Sequence, residues 1–177
     1  MDVQRVSRKT VYQNQWIEVF EDRIQRNSVD GLYGVVRRDD AVVTIPISPS
    51  GRTLLLNSFR YPTEQWSLEF PMGGIESSED PYVAAPREFQ EETGLVGKVT
   101  AVGQFFALPG LTGQKVFVFR ADVTDADLEA ARTPTATDGS DDIEGQRVVK
   151  VADLRDYIRE GRISDSLTLC SILLAGL

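Results

Sequence analysis

Apolar residues fall along this chain in short alternating or continuous runs, a pattern that favours strands over long helices. Val11-Tyr12 and Trp16-Ile17-Glu18-Val19-Phe20 alternate in part and predict strands. Asp30-Gly31 signals a turn, and Leu32 to Val36 predicts another strand beyond it. A short β arm of this kind is not stable alone, so residues 1–40 must pack on the remainder of the chain or on a second subunit. Ala41 to Ile47 reads as a buried strand, closed by Ser48-Pro49-Ser50-Gly51, with Arg52 to Asn57 as its hairpin partner. Trp66 to Phe70 runs into a turn at Pro71-Met72-Gly73-Gly74.

A helix is predicted from Pro81, with Asp80 as N-cap and Gly94 at the left-handed position that follows a helix end. Pro86 inside it removes one backbone bond, which predicts a kink or a late start. Val96 to Phe106 and Gln114 to Ala121 read as strands flanking the Gly-rich loop Leu108-Pro109-Gly110-Leu111-Thr112-Gly113. Asp125 to Ala131 predicts a turn or two of helix, and the polar stretch Arg132 to Asp142 a mobile loop. Val148 to Val151 is a strand. Asp153 to Glu160 and Ser166 to Leu174 are closing helices, with Gly161 stopping the first and Asp165 capping the second.

With 177 residues, 41% hydrophobic and 26% charged, the chain has the makings of one domain with an arm. A formal charge of −8 argues against nucleic-acid and anionic-membrane partners, which need a basic surface. No membrane-length apolar run and no signal peptide is visible, and the single cysteine, Cys170, allows no intrachain disulfide; a cytoplasmic setting is expected. Histidine is absent, which rules out Ser-His and Cys-His catalysis and leaves carboxylates to handle protons and metals.

The carboxylates that could do so stand in one place. Glu88, Glu91 and Glu92 lie at i, i+3 and i+4, one face of the predicted helix, about 5–6 Å apart at Cβ. Such charges repel unless a cation relieves them, and hard oxygen donors favour magnesium, manganese or calcium. Arg87 precedes Glu91 by one helical turn and can orient it.

The stretch Gly73 to Leu95 resembles the Nudix box: glycine, five residues, glutamate, seven residues, then Arg-Glu-hydrophobic-x-Glu-Glu-x-Gly-hydrophobic. Gly73, Glu79, Arg87, Glu88, Phe89, Glu91, Glu92, Gly94 and Leu95 fill its positions. A chance match is about one in 10⁸ per start point at average residue usage. The segment FRYPTEQWSLEFPMGGIE is similar to the ADP-ribose pyrophosphatase branch of that family, and Pro109 matches a proline typical of its members. The family's glutamate near the end of that loop is Gln114 here.

The resemblance implies an α/β (α+β) fold, the Nudix α/β/α sandwich around a mixed sheet, over residues 41–177. In that branch an N-terminal β arm, here residues 1–40, is exchanged between subunits of a homodimer. It implies Mg²⁺, with Mn²⁺ as the alternative, held by Glu88, Glu91, Glu92 and the Met72 carbonyl, with Glu79 and Arg87 orienting the ligands. Glu144 is the expected general base, with Asp141 and Asp142 as reserves, and Arg60, Pro109 and Gly110 are expected to bind substrate. An ion pair with Glu69 is the alternative for Arg60, and Trp16, Phe20 and Trp66 are aromatic candidates for stacking on a purine. The implied reaction is hydrolysis of ADP-ribose to AMP and ribose 5-phosphate. Another nucleotide sugar such as GDP-mannose, or a non-catalytic nucleotide sensor, are the alternatives.

Overall fold

Strand-forming sequence dominates, and a computed structural model, which describes residues 3–131 and 142–177, contains ten strands and four helices among those residues. By its internal contacts the chain divides into two compact units, Met1–Asp40 with Phe106–Lys115, and Ala41–Phe105 with Val116–Leu177.

The first unit is built on a three-stranded antiparallel sheet, β1 (Val3–Gln13), β2 (Glu18–Arg26) and β3 (Val29–Arg37), in that order. The turn between β2 and β3 is Asn27-Ser28, not Asp30-Gly31. Both turn residues have positive φ, 49° and 65°, which matches the right-handed twist of the strands it joins. Asp30 and Gly31 are instead paired with Gln25 and Ile24 inside the ladder. Every residue of β1 is exposed, whereas β2 buries Phe20 and Asp22 on one face. Arg8 holds Asp22 through two 2.7 Å hydrogen bonds and lays its guanidinium 4.2 Å from the Phe20 ring centre. These bonds keep the Asp22 carboxyl below its ordinary pKa. Phe20 is thus covered by protein cations.

The second unit carries β4 (Ala41–Ile47), β5 (Arg52–Arg60), β6 (Gln65–Glu69), β7 (Met72–Gly74), α1 (Pro81–Thr93) and β8 (Lys98–Phe106). It continues with β9 (Lys115–Asp122), α2 (Asp125–Ala130), β10 (Asp142–Lys150), α3 (Leu154–Arg159) and α4 (Ser166–Leu174). Its seven-stranded sheet runs β10-β5-β4-β9-β8, with β6 added to β5 and β7 to β4. The expected hairpin of β4 and β5 exists only at its turn end, where Ile47 pairs with Thr53. Along its length β4 instead pairs parallel with β9, Ala41 opposite Val116 through Ile47 opposite Asp122, and antiparallel with β7. Burial on both faces suits β4 to a central place in such a mixed sheet.

Val42 and Phe119 pack with Ala84 and Ala85 of α1, and Leu54, Leu56 and Ala121 with Phe89 of α1 and Leu128 of α2. Val43 and Ile45, equally buried, face away from α1 by strand alternation. The C-terminal helix α4 packs on β4, and its buried Thr168 accepts a hydrogen bond from Phe70 N at 3.2 Å. Helices therefore sandwich a mixed sheet, as expected.

Asp80 caps α1 by accepting from Tyr82 N at 2.8 Å, and Gly94 closes it in the left-handed conformation. The helix runs unbroken through Pro86, so a late start does not occur. β10 begins at Asp142, earlier than the sequence suggests, and bulges between Ile143 and Gln146. The Arg132 to Asp141 part of the predicted mobile loop lies outside the described residues, and with it Asp141. Among the described residues no helix is long and apolar enough to cross a membrane.

Phe89 fills the hydrophobic position of the box and is 1% exposed. Phe89→Ala should cost about 3–5 kcal/mol of stability through the cavity it leaves, measured by urea unfolding. A loss under about 1 kcal/mol would be incompatible with this packing.

Candidate active site

An arginine with five N–H donors needs five acceptors when it is drawn into a structured site. Arg87 has them. Its Nε and Nη2 hold Glu79 bidentately at 3.0 and 2.8 Å, and Nη1 reaches Glu88 at 2.7 Å and Glu91 at 3.1 Å. Nη2 also donates to the Gly74 carbonyl at 3.1 Å. Helical spacing supplies Glu88 and Glu91, whereas Glu79 arrives from the segment ahead of the helix and also accepts from Glu76 N at 3.0 Å. The hydrogen bonds from Arg87, then the one from Glu76 N, hold the Glu79 carboxyl at a pKa of about 2. Glu79 in turn raises the Arg87 pKa, ahead of Glu88.

The same helix face meets the backbone of β7. Met72 N donates to Glu92 Oε2 at 2.8 Å. At Gly73, one residue on, a Cβ would stand 2.6 Å from Glu88 Oε1 and closer still to Oε2 and Cδ. Glu88 and Glu92, one turn apart, therefore press against two successive residues of β7, and the absence of a side chain at 73 is what lets Glu88 do so. Two carboxylates beside a peptide backbone form a set of hard oxygen donors that fits a divalent cation. Among the described residues, however, no three acidic side chains converge into a ready-made cation site. Part of the repulsion expected among Glu88, Glu91 and Glu92 is relieved by Arg87.

Arg60, at the end of β5, forks onto Glu69 of β6. Nε lies 3.1 and 3.0 Å from the two carboxylate oxygens, and Nη2 also pairs with Oε2. The same nitrogen stands 3.6 Å from Met72 Sδ. Glu69 is 1% exposed, and a buried carboxylate is costly without a cation, so Arg60 offsets its charge as well as reaching β7. Trp66 leans on Phe59 with ring centres 5.4 Å apart. Their register puts them on the opposite face of the β5–β6 ribbon from Glu69. Trp16 is exposed in the first unit.

Glu144 lies within β10 rather than ahead of it, exposed in the bulge beside Gly145. Asp142 pairs with Phe59, the neighbour of Arg60, so the register brings the start of β10 to the Arg60 end of β5. Pro109 and Gly110 belong to the first unit with Phe106–Lys115. Gln114 is buried there, and its Nε2 donates to the Asp39 carbonyl at 2.7 Å. Tyr33 Oη donates to the Gly110 carbonyl at 2.8 Å. No sequence motif marks Tyr33, and only the folded chain brings it to that carbonyl.

An arginine-organised set of glutamates on one helix, facing a glycine strand, is the architecture of the Nudix motif. Residues 37–167 match the NUDIX domain family, and the chain belongs to it. It is a Nudix hydrolase. The chain is 26% identical over 124 residues to an ADP-ribose pyrophosphatase of Bacillus subtilis (strain 168), covering 69% of this chain and 67% of that one. It is 37% identical over 108 residues to an ADP-sugar pyrophosphatase of Mus musculus, covering 56% of this chain and 49% of the other. A crystal structure of an ADP compounds hydrolase superposes with a TM-score of 0.82 at 20% identity, over 99% of this chain and 93% of that chain, a likeness of fold.

Because Glu79 titrates lower folded than unfolded, its contribution to stability is fully present above the unfolded value near 4.5 and is lost as pH falls towards about 2. Glu79→Gln should flatten this acid limb of the stability profile, followed by thermal unfolding between pH 2 and 6. Gly73→Ala should leave the melting temperature within a few degrees, since the Glu88 carboxylate can swing aside, but weaken Mn²⁺ binding by about tenfold or more in calorimetry. Unchanged affinity would mean that Glu88 does not need the space over Gly73.

Proposed function

We propose that this protein is a pyrophosphatase that hydrolyses the diphosphate bond of ADP-ribose, giving AMP and ribose 5-phosphate, with a divalent cation, Mg²⁺ in preference to Mn²⁺. The observation that carries the reading is the abutment of Glu88 and Glu92 on the Met72–Gly73 backbone, braced by Arg87. The names of the pyrophosphatase relatives support the substrate class. The Met72 carbonyl, Glu88, Glu91 and Glu92 would hold the cation. Bound there, it would offset diphosphate charge and lower the pKa of a water.

The remaining work falls to the chain itself. Glu144 takes the proton of the attacking water, for which an exposed carboxylate within reach is a sufficient base; Asp142 is the reserve on the same strand. Arg87 and Glu79 keep the helix carboxylates oriented through the cycle. Arg60, its fork held by buried Glu69, lends positive charge to the surroundings of the diphosphate, and Pro109 and Gly110 shape the contact with the ribose-linked end. The exposed apolar residues of the arm, among them Val6, Val11 and Leu32, support its use as a homodimer surface, with residues 41–177 as the catalytic domain. A cytoplasmic setting fits the single cysteine.

Product analysis on a panel of nucleoside diphosphate sugars, with Mg²⁺ and with chelator, tests the reading. Chelator-sensitive release of AMP from ADP-ribose is expected, with kcat lowered at least about 10²-fold in Glu92→Gln. Glu144→Gln should slow the chemical step while leaving metal affinity intact. Conversion of GDP-mannose alone would keep the mechanism and overturn the substrate; binding of a nucleotide without cleavage would make the protein a sensor.

A further inference from the structure

The loop Phe106–Lys115 connects β8 to β9 of the main sheet, yet its contacts group it with the N-terminal arm. Its attachment to the arm is made in the middle and at its C-terminal end. Val36 N donates to the Leu111 carbonyl at 2.9 Å, and Lys115 N donates to Asp40 Oδ1 at 2.8 Å. Gln114 Nε2 donates to the Asp39 carbonyl at 2.7 Å, and its own backbone N donates to Thr112 Oγ1 at 3.1 Å. Within the loop, Ala107 N donates to the Gln114 carbonyl at 3.0 Å, closing its neck. Most of these bonds fix segments that flank Pro109 and Gly110. One fixes Gly110 itself: the Tyr33 hydroxyl, from the centre of β3, donates to its carbonyl at 2.8 Å.

A peptide plane has one soft rotation on each side, so a hydrogen bond to the Gly110 carbonyl sets which way the Gly110–Leu111 plane faces. Glycine at that position has no side chain to restrain the plane by itself. On its N–H side the plane is held within the loop, where Leu111 N donates to the Leu108 carbonyl at 2.9 Å; on its carbonyl side the restraint comes from a residue of the arm, 77 positions away. We infer that Tyr33 is a positioning residue for substrate recognition: by holding the Gly110 carbonyl it presets the Pro109–Gly110 backbone, so the arm of the chain tunes substrate affinity. This rests on the reading of Pro109 and Gly110 as substrate-contacting residues. Gln114, where the family's loop carries a glutamate, serves the same end, as an amide that ties the loop to Asp39 rather than as a ligand of the substrate.

The test is steady-state kinetics of Tyr33→Phe, which deletes one hydroxyl, and of Gln114→Leu, which deletes the amide tie, alongside melting temperatures. The assay uses whichever nucleoside diphosphate sugar the wild-type protein cleaves best. A neutral hydrogen bond that preorganises a loop is worth a KM increase of about fivefold in Tyr33→Phe, with kcat within about twofold. Gln114→Leu should shift KM in the same direction. An active wild type whose KM is unchanged in Tyr33→Phe overturns the inference alone, as does a fall in kcat at constant KM. A wild type that cleaves no member of the panel overturns the proposed function and this inference with it.

Discussion

A single guanidinium organises the chemistry of this fold. Arg87 spends all five of its N–H donors on Glu79, Glu88, Glu91 and the Gly74 carbonyl, and so ties the helix, the segment before it and the strand it faces into one unit. Without it, three helix carboxylates and Glu79 would repel one another in a partly enclosed space. With it, the negative charge is held in place, and Glu88 and Glu92 meet the β7 backbone. Lysine could balance the charge but could not reach four separate acceptor groups from one planar fork.

The helix α1 was legible in the sequence because its signals are local. The Asp80-Pro81 start, the Gly94 stop and the i, i+3, i+4 carboxylates all act within a turn or two of one another. Pro86 does not delay the helix, which starts at Pro81, because its apolar face, Ala84, Ala85 and Phe89, is anchored on the sheet. The hydrophobic partner of each strand was harder to read. A run such as Ala41 to Ile47 announces burial but not whether its neighbour is the next strand or a distant one, and here β9 and β7 displace β5.

The site residues divide in the same way. Glu88, Glu91, Glu92 and Arg87 carry their spacing with them. Arg60 could be read equally as a substrate donor or as the partner of Glu69, and the structure pairs it with Glu69. Tyr33 and the role of Gln114 were beyond reach, since each depends on a contact between segments about 75 residues apart, for which the sequence holds no short-range signal. The β2–β3 turn went astray for a local reason. Asp30-Gly31 is the commoner turn pair, but Asn27-Ser28 adopts the left-handed conformations, and strand register then places the glycine inside the ladder.

The parallel pairing of β4 with β9 also bears on how the protein is made. A ribosome delivers β4, β7 and the complete helix α1 before the strand that flanks β4 has been synthesised. Until β9 emerges, Val42, Ala84 and Ala85 lack Phe119, the residue that completes their cluster. Closing that long interval costs chain entropy before the buried contacts form, so this non-local pairing slows folding relative to a local hairpin. Nascent chains stalled between the helix and β9 would leave the β4 edge that β9 covers unpaired, and an apolar strand with an open edge is prone to wrong association.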